Sequence, residues 1–532
     1  MINPNIAEQK LLKTLSLISN SDVLSNVDID RVFYIDEVKD KNKLPINEKG
    51  WKEFRKPRVL LEQDKFYWLK AEFEIKRKSE NELVYFCVDP HIYGPASTIR
   101  PQGLLYINGE AVQGLDINHT DVLLNDGHYE VYILFYTHTF GERLNLDFTV
   151  KTKDKRTNKA YFDFDVAIDT LRLLKQDDEN YLKMLPVVLD AANIIDFRDI
   201  RSEEYYDSIL KACDYLEKNF YNGICGSDTT VNVIGHSHID VAWLWDLEQT
   251  RQKVKRTFST VLRLMDQYPE YKFMASTPQL YQFVKEDDPV LYNKIKQKIK
   301  EGRWEVDGAT WLECDTNLIS GESLVRQIIY GKRFMKEEFD VDSKTLWLPD
   351  VFGYSGALPQ ILKKSGINRF VTAKIGWNDT NRFPYDTFKW VGIDGSEVTT
   401  FLISTPELCA PRQGIYDSTY TTYCPNVDAH YILGTWNRYQ QKDLNKTVFM
   451  TMGYGDGGGG VTAEMLEREL RFRHGLPGLP KTKLSTLKET LDEIEKNVFG
   501  AAEKLGSTPK WNGEMYLEFH RGTYTSVPEI KY

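Results

Sequence analysis

Cysteine is scarce in this chain: six in 532 residues, and none in Cys-x-x-Cys spacing. Cys87, Cys213, Cys225, Cys314, Cys409 and Cys424 are scattered, which argues against a disulfide framework and for reduced thiols in a cytoplasmic protein. Long hydrophobic runs are absent as well. No apolar stretch approaches the ~20 residues needed to cross a bilayer, so no membrane partner is expected. The opening residues, from Met1 to Lys10, lack a basic segment followed by an apolar one, so no signal peptide is read there. Positive charge is in deficit. A net charge of −10 argues against nucleic acid or an anionic membrane surface and suits a neutral substrate. Histidine is sparse too, at nine, so any clustering of it carries information.

What is present is an ordinary globular composition, 41% hydrophobic and 27% charged, in a chain long enough for about three domains. From Phe66 to about Val150 short alternating runs sit between Gly, Asn and Asp turns, the texture of an antiparallel β-sandwich. Residues 165–220 turn helical. Beyond 230, strand-like runs recur at 231–236, 273–275, 304–306, 346–348, 370–372, 398–402 and 448–452. Helical stretches separate most of them, one with Val254, Phe258, Val261, Leu262 and Met265 on a stripe. Helical crossovers imply parallel strands, hence an α/β barrel or an open doubly wound sheet.

The first of these runs ends in Gly235-His236-Ser237-His238-Ile239-Asp240. In extended backbone, alternate side chains share a face, so His236, His238 and Asp240 project together, the outline of a metal site. His-x-His also arises by chance. Trp243 and Trp245 follow; one suits a sugar ligand and the other reads as core. Ser276, Thr277, Asp307, Thr310, Asp350, Lys374 and Asp456 each follow a later strand, and parallel α/β folds build their sites at such carboxyl ends. Asp350, in Leu348-Pro349-Asp350-Val351-Phe352-Gly353-Tyr354-Ser355, precedes a helix and reads equally as an N-cap aspartate. Asp456 lies before four glycines, Gly457 to Gly460. These demand positive φ or close approach of the backbone, though a plain turn would also use them. A Walker-type phosphate loop is excluded, because no Gly-Lys-Ser/Thr follows. His520 is isolated and by itself reads as a surface histidine.

Taken in order, these blocks resemble the glycoside hydrolase family 38 α-mannosidases of the cytosolic and vacuolar branch. Gly235–Trp245 is similar to the family's first metal motif and 347–355 to its nucleophile motif. The blocks Gly455–Gly460, Glu518–Thr525 and Gly114–Leu124 resemble others of that branch. The resemblance implies a retaining exo-α-mannosidase acting on mannose-containing oligosaccharides, with one zinc held by His238, Asp240, Asp350 and His520. Asp350 would be both ligand and nucleophile, and Asp456 the acid/base. Trp243 and Lys374 would touch the sugar, and His236 would support the ligands behind them. The implied architecture is 1–160 with a β-sandwich, 161–227 as a helical bridge, 228–500 as a seven-stranded parallel (β/α) barrel, and 501–532 as the opening of a helical bundle. Family members continue for several hundred residues past the His520 block, so a C-terminally truncated chain is expected. A homo-oligomeric state stays open. The competing enzyme reading is an amidohydrolase-like metallohydrolase, which also begins with His-x-His but uses further histidines on later strands. An inactive, truncated remnant that only binds carbohydrate is the third reading.

Overall fold

The computed structural model describes residues 4–54, 61–91, 100–138, 146–378, 381–407, 420–517 and 520–524. Cys409, Glu518, Phe519 and Thr525 of the blocks above lie outside them. The chain divides into two compact units. One comprises Met1–Ser227, Leu244–Gln267 and Asp456–Lys481; the other comprises Asp228–Trp243, Tyr268–Gly455 and Thr482–Tyr532.

The first unit holds two antiparallel sheets. The four-stranded sheet runs Val23–Asp28, Asp147–Asp154, Glu82–Asp89, Asp121–Leu124. The six-stranded sheet is centred on Phe66–Ile75, paired with Gly127–Tyr136 from Phe66↔Tyr136 to Ile75↔Gly127. Leu69, Ala71 and Phe73 share one core with Phe86, Val88, Val122 and Phe148 of the other sheet, and Phe73 stacks on Phe86 at 4.9 Å. Helices Pro4–Asp22, Lys155–Leu173, Glu179–Ile194 and Glu203–Leu216 belong to the same unit. Asp154, Asp178 and Ser202 cap the last three, each side-chain oxygen accepting a backbone N–H that has no partner inside the helix.

Helix Leu247–Gln267 also joins this unit. Its apolar stripe Val254, Phe258, Val261, Leu262, Met265 is buried, but so are Lys253, Lys255, Arg256, Thr257 and Thr260. Gly114 makes room for it, since a Cβ there would stand 2.9 Å from Arg256 Cβ, and Gly114 N–H donates to Thr260 Oγ1 at 2.9 Å. The helix in turn holds the glycine loop. Lys253 Nζ donates to Gly457 O at 3.3 Å and Thr257 Oγ1 to Gly458 O at 2.5 Å. Gly457, Gly458 and Gly460 all have positive φ, between 75° and 87°, the conformation that the run of glycines was expected to need.

In the second unit all seven strand-like runs are strands: Thr230–His236, Phe273–Met274, Trp304–Glu305, Thr345–Trp347, Arg369–Thr372, Glu397–Leu402 and Thr447–Met452. They pair in parallel as seventh–first–second–third in one sheet and fourth–fifth–sixth in another. A single parallel bridge, Gly308↔Leu346, links the third to the fourth. Alternate residues face two cores. Trp347, Val371 and Phe401 meet Ile234, Met274 and Phe449, whereas Leu346, Leu348, Phe370 and Val398 pack on the other side. Burial of both faces is what parallel strands require. Two further strands extend the second sheet. Thr387–Val391 runs antiparallel to the sixth strand, and Lys510–Asn512 runs parallel to Thr387–Val391.

Candidate functional site

His236 is the last residue of the first strand, and His238 and Asp240 follow it. The strand carries both imidazoles into buried positions, each 2% exposed. They do different things. His236 Nδ1 stands 3.1 Å from Met274 O on the neighbouring strand, and burial pushes its pKa down to about 3, so the ring is neutral. His238 Nε2 stands 3.2 Å from Asp240 Oδ1 and 3.9 Å from Asp350 Oδ2. Burial works against charge on His238, yet the carboxylates of Glu313 and Asp240 hold its pKa well above the usual histidine value.

Asp350 follows the fourth strand, and Pro349 O accepts the N–H groups of Ala373 at 3.3 Å and Lys374 at 3.1 Å. That crossing fixes Lys374 Nζ at 2.5 Å from Asp350 Oδ1. The carboxylate therefore offers one oxygen to lysine and turns the other to His238. The N-cap alternative for Asp350 falls: the next helix is Leu358–Lys364, with Ala357 at its N-cap. Its charge is balanced by Lys374, which also lies over the Trp377 ring at 4.2 Å.

His520 returns to this end by way of strand Lys510–Asn512. Trp390 Nε1 donates to Gly513 O at 2.6 Å, and Met515 and Tyr354 exchange backbone hydrogen bonds of 2.8 and 2.9 Å. The half-buried His520 ring then packs on Phe352 at 4.5 Å and Trp377 at 5.5 Å. Burial and the Lys374 cation lower its pKa, against the pull of Asp350.

Ligand atoms of His238, Asp240 and Asp350 lie within 4.8 Å of one another. Two ligands each about 2.1 Å from a tetrahedral zinc stand about 3.4 Å apart, close to the 3.2 and 3.9 Å found here. Charge fits as well. Asp240, Asp350 and Glu313 surround a histidine, with Lys374 paired to Asp350. With His238 neutral these groups are two charges negative, which one divalent cation balances. Among the described residues His520 is beside this trio but not within its mutual 4.8 Å.

Trp243 is 57% exposed and Trp245 is buried at 5%, so one of the pair is core. Asp456 follows the seventh strand and is exposed, in the unit that holds the glycine loop, whereas Asp350 belongs to the other. Thr277 stands at the N-cap position of helix Pro278–Asp287 without a side-chain cap hydrogen bond. Asp307 accepts the N–H of Gly308 at 2.8 Å and of Thr345 at 3.4 Å, a link between strands. Glu313 escaped the sequence reading. It sits in Trp311-Leu312-Glu313-Cys314, with no spacing that marks it, and its Oε1 is 3.3 Å from His238 Nδ1.

The family profile described as the glycosyl hydrolases family 38 N-terminal domain matches residues 228–514. The chain is 33% identical over 491 residues to alpha-mannosidase G of Dictyostelium discoideum, covering 87% of this chain and 42% of that protein. It is 39% identical over 349 residues to an alpha-mannosidase of Saccharomyces cerevisiae, covering 64% and 30%. Against alpha-mannosidase 2C1 of Homo sapiens it is 32% identical over 492 residues, covering 87% and 43%. The chain thus spans less than half the length of these relatives.

Proposed function

This chain belongs to glycosyl hydrolase family 38, and we propose that it is the metal-dependent part of a retaining exo-α-mannosidase that removes terminal α-linked mannose from oligosaccharides. The observation that carries this is the convergence of His238, Asp240 and Asp350 after two different parallel strands. We read the seven strands as a (β/α) barrel, with the group at its carboxyl-terminal rim. The alphabet of the rim also favours glycosidase over amidohydrolase, because the strands between the first and the seventh end in carboxylate, hydroxyl and lysine residues rather than histidines.

In this reading zinc is held by His238, Asp240, Asp350 and His520, and when bound it supplies Lewis-acid polarisation of sugar hydroxyls. Asp350 attacks the anomeric carbon, and a covalent mannosyl-enzyme ester forms as the glycosidic bond breaks. Lys374, 2.5 Å from the Asp350 carboxylate, keeps that nucleophile aimed. Asp456 protonates the departing oxygen, then takes a proton from the water that cleaves the ester. Its exposure beside positive-φ glycines is compatible with that exchange. Trp243 offers an exposed ring for the sugar face. His236, neutral and tied to Met274 O, supports the strand end behind His238. Cytoplasmic residence accords with Cys87, Cys213, Cys225, Cys314 and Cys424, none of which is in a disulfide.

The test is to follow an aryl α-mannoside with the zinc-supplied chain by proton NMR. Release of α-mannose as first product is expected. β-Mannose first, or no cleavage by protein shown to be folded, would overturn the reading.

A further inference from the structure

We propose that Glu313 is the positioning residue of the metal centre, a carboxylate that holds His238 by its Nδ1 so that Nε2 faces the metal. The inference rests on the metal-centre reading above and adds a residue that the family motifs do not point to.

The geometry is specific to one nitrogen. His238 Nδ1 stands 3.3 Å from Glu313 Oε1, while Nε2 faces Asp240 and Asp350. Nδ1 has no aligned hydrogen bond, so Glu313 acts on it as a carboxylate at 3.3 Å; a hydrogen held on Nδ1 by that charge leaves the lone pair on Nε2 and makes the ring more basic toward a cation. Glu313 has little structural reason to be there. Its side chain is 14% exposed, its Oε2 is buried without a hydrogen-bond partner, and Asp240 and Asp350 repel it. Burying a carboxylate in such company is costly, and an isosteric neutral residue would serve packing better.

The loop that presents Glu313 is built to hold it still. Gly331 lets helix Gly321–Phe339 lie against it, because a Cβ there would strike Ala309 O and Thr310. From the same helix Gln327 engages two successive residues: its O accepts Trp311 N–H at 2.9 Å, and its Oε1 accepts Leu312 N–H at 3.1 Å. Ala309 takes φ 65°, a conformation that a non-glycine residue adopts only when its surroundings impose it. On the far side Thr316 Oγ1 donates to Gly353 O at 3.0 Å, tying the loop to the segment that carries Asp350. Glu313 is thus fixed from both directions, as a group that orients a ligand needs to be.

The test is a double-mutant cycle read as zinc affinity of the metal-stripped full chain, by competition with a chromophoric chelator. Glu313→Gln should weaken zinc by about 10–100-fold with the circular dichroism spectrum unchanged. In a His238→Ala background the same substitution should change affinity by less than about twofold, because a residue acting through His238 has nothing left to act on. Glu313→Asp, which keeps the charge, should recover part of the loss. Equal zinc affinity of wild type and Glu313→Gln would overturn the proposal, and so would an undiminished loss in the His238→Ala background. If His238→Ala itself binds zinc like wild type, the metal-centre reading fails and this inference goes with it.

Discussion

Asp350 turns Oδ1 to Lys374 and Oδ2 toward His238, and in the proposed function one carboxylate is both ligand and nucleophile, so its removal should break both duties. Asp350→Ala is expected to lower kcat/KM by more than about 10³-fold, about 4 kcal/mol of transition-state stabilisation, and to weaken zinc in the same chelator competition. Asp456→Ala should separate the duties. Zinc should stay bound, while mannosides with poor leaving groups slow by about 10²–10⁴-fold and activated aryl mannosides far less, since those need little protonation. Loss of the metal in Asp456→Ala would show that the acid/base role is misassigned. His236 makes a third expectation, about pH. Its pKa is about 3 in the fold and about 6.5 in an unfolded chain, so its contribution to stability is complete above pH 6.5. It is lost as pH falls toward 3, at up to about 1.4 kcal/mol per pH unit. Urea unfolding of metal-stripped protein at pH 7, 6 and 5 should show a steeper loss for wild type than for His236→Gln. Parallel slopes would mean that His236 is not buried neutral.

At the scale of elements, the strand ends were the legible part. Each of the seven apolar runs is a strand, because parallel strands buried on both faces leave unbroken apolar stretches in the sequence. The stripe from Val254 to Met265 correctly marked a helix, but periodicity reports only the apolar face. It could not show that Lys253, Arg256 and Thr257 on other faces are buried as well, holding Gln102 and the glycine loop. The residues that bring His520 back were likewise hidden. Lys510–Asn512 is a three-residue strand whose pairing with Thr387–Val391 spans some 120 positions, and nothing local predicts a partner so distant. Glu313 was missed for the same reason: its meaning comes from His238, which lies 75 positions earlier. The loop after the seventh strand gives a prediction at this scale. A Cβ on Gly455 would collide with Cys424 Sγ and lie 3.6 Å from His238 Cβ. Gly455→Ala should therefore cost about 1–3 kcal/mol in urea unfolding. Combining it with Cys424→Ala should relieve most of that cost, whereas an additive double mutant would rule out the clash as its cause.

For the whole molecule, the chain folds as two compact units, one of which holds the first-strand histidines, Asp350, Lys374 and His520, and the other Asp456 and the glycine loop. The chain passes between the units at 227–228, 243–244, 267–268, 455–456 and 481–482, and of these only 227–228 coincides with a boundary read from the sequence. The central claim is that His238, Asp240 and Asp350 hold a metal on which mannoside hydrolysis depends. It is tested most directly by stripping the chain with a chelator and restoring zinc in measured steps during turnover of an aryl α-mannoside. Activity should be absent in the stripped protein, return in proportion to zinc and saturate at one equivalent, and fail to return in His238→Ala. Full activity without metal, or equal recovery in His238→Ala, would contradict the account.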